Sequence, residues 1–437
     1  MVIVYSHTTS PRLLYVLDFL SHYYGLPFRP VHDKEALVNA KSIRINYSHH
    51  PLESDLQIAP IDLLFEATVH PFPVECFTHT AGFIAFFKTH QLPIGFDLFG
   101  AIFYLLSRYE EYLPHQKDEY GRYAHQNSVA FQNGFLNIPL VNTWLEYFRK
   151  LMALKNSRFK IQDSRFFFLP SYDIDMAWSY RQKGFVRNAG GLVKEVAKGQ
   201  WSMVKTRVAV LAGKEKDPFD CFDWLDGLHQ QYALQPLYFF LVGKVRNAYD
   251  KNIPVTNKAF QRLLAKTSGN ATIGVHPSWH SGDERAAIAE EKAFIESIIQ
   301  KPVTRSRQHY IRFTLPHTFW QLIASGITED YSMGYGSING FRASIASSFY
   351  WYDLEREEKT ALLLHPFCFM DANAYYEQKD TPQQALAELM HYYTEVKKVN
   401  GRLITVWHNS ILGTDAPFSG WREIYEKFTA HISKSMA

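Results

Sequence analysis

The chain has 437 residues, 46% hydrophobic and 20% charged, a globular composition with length enough for two or three domains and a large core. Its formal net charge is only +3, and no Lys/Arg block exceeds what a solvated helix face carries, which argues against nucleic acid or an anionic membrane as the main partner. Cys76, Cys221 and Cys368 are scattered, which excludes a disulfide framework and a CxxC metal site and fits a reducing compartment. With no basic, apolar leader and no run of about 18 apolar residues, the expectation is a cytoplasmic protein without a transmembrane segment.

Residues 1–160 read as a mixed α/β unit. The pattern predicts a strand over 2–5, a helix over 11–24 closed by Gly25, a helix starting at the N-cap residue Asp97, and a helix over 141–154. The polar, aperiodic stretch 155–164 marks a boundary, and a second unit fills 165–437. There, apolar runs at 166–172, 236–243, 271–276, 305–311, 326–332, 361–367 and 402–408 predict strands. Amphipathic stretches at 222–232, 257–267, 283–300, 317–325 and 382–399 predict helices between most of them. This alternation predicts parallel strands joined by right-handed crossovers, and seven such units are barrel-sized.

The polar residues fall at the ends of these runs. Asp173 and Asp175 close the first, His276 closes the third with His280 four positions on, and Arg307, His309, Asp330 and His408 lie in or at the ends of later ones. The carboxyl-terminal rim of a parallel barrel is where chemistry is built. An Asp with two His suits zinc or a similar divalent ion, and a spare carboxylate beside them can take a proton from water. Pro277 disfavours the α conformation at His276, so the His pair belongs to a strand-end loop rather than a helix face. The structural alternatives are an N-cap role for Asp173-Ile-Asp175 and a core histidine at His408.

As an ordered set these segments resemble the polysaccharide deacetylase (NodB-homology) family of metal-dependent de-N-acetylases. Ser171-Tyr-Asp-Ile-Asp175 is similar to its first motif, Gly274-Val-His-Pro-Ser-Trp-His-Ser281 to its second, and Val406-Trp-His-Asn409 to its last. Arg307-Gln-His309 stands where the family has Arg-x-Pro, ahead of Gly326-Ile-Thr-Glu-Asp-Tyr-Ser332. The resemblance covers about residues 165–430. Residues 1–160 resemble the uncharacterised domain that precedes longer members.

The resemblance implies a distorted seven-stranded (β/α) barrel behind a smaller mixed α/β domain. It also implies Asp175, His276 and His280 as ligands of a divalent metal, most simply zinc, with Asp173 as general base, His408 as general acid and Arg307 orienting Asp173. His309, in the place of the family's Pro, is expected to face the cleft. Asp330, Arg342 and Trp351 are expected at the substrate, with ordinary loop anchoring as the alternative for the last two. The implied substrate is an N-acetylated amino sugar of a glycan or glycan precursor. A hydrolase of another non-peptide C–N bond, such as a cyclic amide, and a non-catalytic glycan-binding barrel are the alternatives.

Overall fold

Two sheets organise the chain in a computed structural model that describes residues 1–157, 159, 165–282 and 286–436. The first sheet holds β1 (Val2–Tyr5), β2 (Phe28–Val31), β3 (Ile43–Tyr47) and β4 (Leu56–Ile58), all parallel, in the order β2-β1-β3-β4. The crossover from β1 to β2 is the helix Pro11–Tyr24. Pro11 supplies a preset φ at its first turn, the Ser10 side chain accepts Leu13 N–H, and Gly25 ends it in the left-handed region at φ 62°. A two-stranded hairpin, β5 (Phe77–Thr78) and β6 (Ile84–Ala85), precedes the wholly buried helix Leu98–Leu106. Asp97 caps that helix, accepting Gly100 N–H and, from across the unit, Ile61 N–H, each at 2.9 Å. The helix Leu140–Lys155 closes this half.

The second sheet contains β7 (Phe167–Ile174), β8 (Leu237–Leu241), β9 (Thr272–His276), β10 (Arg305–Ser306), β11 (Glu329–Asp330), β12 (Phe349–Asp353), β13 (Glu358–Leu364), β14 (Phe369–Met370) and β15 (Arg402–His408). Their order is β12-β13-β11-β10-β9-β8-β7-β15-β14, and every neighbouring pair is parallel except β12 with β13. The fold is therefore mixed α/β. Among the described residues the sheet has nine strands and no ladder joins β12 to β14, so the ladders by themselves do not close the expected seven-stranded barrel. Phe349–Asp353 was not expected as a strand because no period-2 alternation marks its aromatic run. Phe369–Met370 is too short for any periodicity.

The strands expected over 305–311 and 326–332 shrink to two residues each. After Ser306 the chain leaves the ladder for a turn at His309–Ile311, where Tyr310 and Ile311 take φ values of 59° and 54°. The expected helices form as Phe222–Gln231, Lys258–Asn270, Ala287–Ile299, His317–Ala324 and Pro382–Lys398, and an unanticipated one, Trp421–Met436, follows β15; residues 283–285, where one was expected to begin, lie outside the described residues. Two helices after β7, Phe185–Ala197 and Trp201–Leu211, were not anticipated. Gly190, Gly191 and Gly199 interrupt their pattern, and their apolar side chains do not form a core-facing stripe.

A buried ionic clasp ties the first half of the chain to the second. Glu111 Oε1 accepts Arg108 Nε at 2.7 Å and Arg342 Nε at 2.8 Å, and Glu111 Oε2 accepts Arg342 Nη2 at 2.6 Å. Burial raises the Glu111 carboxyl, but Arg342 and Arg108 outweigh it and hold the carboxyl at about 2. A carboxyl whose folded pKa lies below its ordinary 4.5 contributes stability above pH 4.5, and this is lost as pH falls through 2. Glu111→Gln leaves two buried guanidinium groups without their shared carboxylate, a loss of about 3 kcal/mol. Denaturation across that acid window is expected to show a steep fall for the native protein and a flatter, lower curve for the variant.

Candidate active site

Strand periodicity builds the base of the site. Ser171 and Asp173 are two apart on β7, so they share one face, and both bind the buried guanidinium of Arg307. Arg307 Nη1 donates to Asp173 Oδ1 at 2.8 Å, Nη2 to Ser171 Oγ at 2.8 Å, and Nε to Tyr331 O at 3.0 Å. The guanidinium also lies 4.4 Å over the Phe239 ring. Three acceptors and a ring face fix Arg307, and Arg307 in turn fixes Asp173. In the β7–β15 register His408 stands directly opposite Asp173, which brings both strand ends to one rim.

Asp175, half-buried just past the end of β7, faces three imidazoles. His276 Nε2 lies 3.2 Å from its Oδ1, and His309 Nε2 and His408 Nε2 lie 3.5 and 3.7 Å from its Oδ2. Each ring is anchored through its other nitrogen. His276 Nδ1 is 2.5 Å from Arg307 O, His309 Nδ1 is 3.0 Å from Asp250 Oδ1, and His408 Nδ1 is 2.6 Å from Asp371 Oδ1. All three partners are acceptors, so each Nδ1 carries a proton and each Nε2 is turned toward Asp175. Asp371 Oδ2 also accepts the backbone N–H of His408 at 2.7 Å, which fixes the carboxylate against the ring.

The electrostatics follow from this crowding. Burial works against charge on Asp175, but His309, His276 and His408 outweigh it and hold its carboxyl well below the usual range. Burial likewise opposes charge on His309, yet Asp175 and Asp250 lift it to about 9; Asp371, Asp175 and Asp173 lift His408 to about 10 against the same opposition.

Asp175, His276 and His309 bring their ligand atoms within 4.8 Å of one another. Asp175 Oδ1 is buried and has no hydrogen-bond partner of good geometry, although His276 Nε2 lies 3.2 Å away. A carboxylate and two imidazoles with converging lone pairs and anchored outer nitrogens are a donor set that fits zinc. The structure thus brings His309, not His280, to Asp175 and His276. After Pro277 the chain enters a short 3₁₀ turn, His280–Gly282, that carries the His280 side chain to a separate cavity beside Lys244 and Glu290. The four-residue spacing therefore does not return His280 to the face of His276.

Three further expected substrate contacts are also elsewhere. Asp330 is fully buried, accepting Ser306 Oγ at 2.7 Å and Ser332 N–H at 2.8 Å. Arg342 is the buried partner of Glu111. Trp351 packs its ring against Phe319 and Trp320 in the core. None of the three lines the cleft, a cavity of about 720 Å³ that contains Asp173, Asp175, His276, His309 and His408. Two supporting carboxylates escaped the sequence reading. Asp371 follows the apolar run 366–370 and so carried a strand-end signal, whereas Asp250 sits in a polar loop with none.

The amino-terminal half supplies one wall of the cleft. Tyr120 and Arg122 line it, and Arg122 Nη1 reaches across to Tyr310 O and Gly336 O at 2.9 and 3.0 Å. Tyr249 and Tyr310 continue an aromatic wall backed by Trp279, which stacks on Tyr249 at 3.8 Å.

A family model described as a family of unknown function (DUF7033) matches residues 2–157. No curated protein matches the chain. Among solved structures, a candidate polysaccharide deacetylase from Mycobacterium smegmatis aligns at 11% identity and TM-score 0.40, over 63% of this chain and 86% of that one. A polysaccharide deacetylase from Bacillus cereus aligns at 11% identity and TM-score 0.31, over 61% and 88%. The catalytic domain of a peptidoglycan N-acetylglucosamine deacetylase from Eubacterium rectale aligns at 9% identity and TM-score 0.29, over 62% and 87%. No helix among the described residues is long and apolar enough to cross a membrane.

Removing a carboxylate that orients a ligating imidazole typically weakens metal binding about 10- to 100-fold. Asp250→Asn is expected to lower zinc affinity by that factor in equilibrium dialysis, whereas His280→Ala leaves it unchanged. The reverse ranking would place the third ligand at His280.

Proposed function

We propose that this protein is a metal-dependent hydrolase that removes an acyl group, most simply acetyl, from an amino sugar. The observation that carries the reading is the convergence of one carboxylate and two anchored imidazoles beside a second, Arg-held carboxylate and a third imidazole, all in one cleft. Asp175, His276 and His309 would hold the cation. When bound there, a divalent ion lowers the pKa of water and polarises a carbonyl oxygen.

The remaining roles belong to the chain's own groups. Asp173 Oδ1 is held by Arg307, so its Oδ2, 3.8 Å from His276 Nε2, is the oxygen left to take a proton from an attacking water. The water oxygen adds to the amide carbon, the C–N bond breaks, and the departing nitrogen needs a proton. His408 is the donor: Asp371 fixes its Nδ1, its Nε2 faces the cleft, and the surrounding carboxylates keep it protonated near neutral pH. The two groups thus divide the proton traffic, one accepting and one giving, and the products are a carboxylic acid and a free amine.

Two features favour a sugar over a small cyclic amide. The cleft, about 720 Å³, has room for more than the amide itself, and its tyrosine wall offers flat faces on which pyranose rings stack. The ordered resemblance of residues 165–430 to the polysaccharide deacetylases points the same way.

With zinc-loaded protein, acetate release is expected from N-acetylated chitooligosaccharides or N-acetylated glycolipid precursors and not from cyclic ureides. Turnover of ureides alone would replace this reading with the cyclic-amide one, and zinc binding without any turnover would leave a glycan-binding barrel. His276→Ala is expected to abolish both metal retention and acetate release. His408→Gln is expected to retain zinc and lose roughly a hundred- to ten-thousandfold in kcat, the range removed with a general acid.

A further inference from the structure

The near-neutral total charge hides a sharply basic segment. Residues 181–216 contain nine Lys or Arg against two Glu, which leaves the rest of a chain of net charge +3 acidic overall. This segment contains the pair of helices Phe185–Ala197 and Trp201–Leu211, with Arg181 and Lys183 before them, Lys198 between them and Lys214 and Lys216 after them.

The pair is built inside out. On the first helix the buried side chains are Asn188 and Glu195, seven apart and so on one face. On the second, Arg207 is buried and closes the pair: its Nη1 donates to Asn188 Oδ1 at 2.8 Å, and its Nε and Nη2 donate to Glu195 at 2.9 and 2.5 Å. Gly191 permits the approach, since a Cβ there would meet Arg207 Nη2 at 2.6 Å. With polar groups forming the seam, most of the apolar side chains are left outside, Val210 being the buried exception. Phe185, Val186, Val193 and Trp201 are 86%, 82%, 68% and 65% exposed, and Val208 and Leu211 are also exposed. Val186, Val193 and Val196 repeat at helical spacing, as do Trp201, Val208 and Leu211, so each helix carries an apolar stripe. Lys194, Lys198, Lys205 and Lys214 stand exposed around the stripes.

We infer that this helical pair is an interfacial anchor that docks the protein on an anionic lipid bilayer. Exposed Phe, Val and Trp in a water-facing position are costly unless an apolar phase receives them, and the surrounding lysines select a negatively charged one. A protein partner would need only the apolar face; the excess of positive charge in this one segment is the feature that names the lipid headgroup layer. The anchor adjoins the cleft. Arg187 Nη2 donates to Lys251 O at 2.9 Å, and Lys251 lines the cavity that holds Asp173 and Asp175. Docking therefore sets the cleft beside the headgroup layer. This inference does not depend on the hydrolytic reading, because binding is read without turnover.

The test is flotation of the full chain with phosphatidylcholine vesicles prepared with and without phosphatidylglycerol. The native protein is expected to float with the anionic vesicles and to stay in solution with the neutral ones. Phe185→Ser with Trp201→Ser, and separately Lys194→Glu with Lys198→Glu, are each expected to lower the partition coefficient by about tenfold while leaving the thermal melt intact. No flotation with anionic vesicles, or equal flotation with neutral ones, would overturn the inference. So would a dimer that forms without lipid and dissociates in the Phe185, Trp201 variant, since a second copy would then cover this face.

Discussion

The site depends on a single electrostatic constraint: one carboxylate, Asp175, shared by imidazoles that each have their outer nitrogen committed to a fixed acceptor. Arg307 O, Asp250 and Asp371 force a proton onto each Nδ1, so three Nε2 atoms are turned toward the same small volume. Against the opposition of burial, the surrounding carboxylates drive His309 and His408 upward and the imidazoles drive Asp175 downward. A divalent ion held by Asp175, His276 and His309, as proposed, would relieve the same crowding. On the proposed reading His408, tied to Asp371, is left as the proton donor.

Much of this was legible in the sequence, for a definite reason. Asp173, Asp175, His276 and His408 terminate long apolar runs, and strand ends with polar residues are visible to periodicity. Helices with a core-facing stripe, such as Pro382–Lys398, were equally visible. His280 was misplaced because spacing describes chain distance, whereas Pro277 and a 3₁₀ turn decided direction. His309 reaches the group through left-handed backbone at Tyr310 and Ile311, a conformation unfavourable for a β-branched residue that no propensity foretells. Arg342 and Trp351, expected at the substrate, are both buried in packing that composition alone does not locate.

The cleft is not the property of one half of the chain. Glu111 pins Arg342 across the boundary, and Arg122 crosses to the turn that carries His309, so residues of the amino-terminal half both wall the cavity and brace a proposed ligand. On the opposite flank, the basic helical pair touches the same cavity through Lys251. A segment whose polar groups face inward defeats sequence reading for the same reason that it exposes apolar surface: its stripes do not point at a core.

The most direct test of the central claim is diffraction from zinc-soaked crystals at energies on either side of the zinc absorption edge. The account predicts one strong anomalous peak bounded by Asp175, His276 and His309, with His408 turned toward the open side and His280 remote. A peak held by His280, or one that leaves His309 bonded only to Asp250, would contradict it.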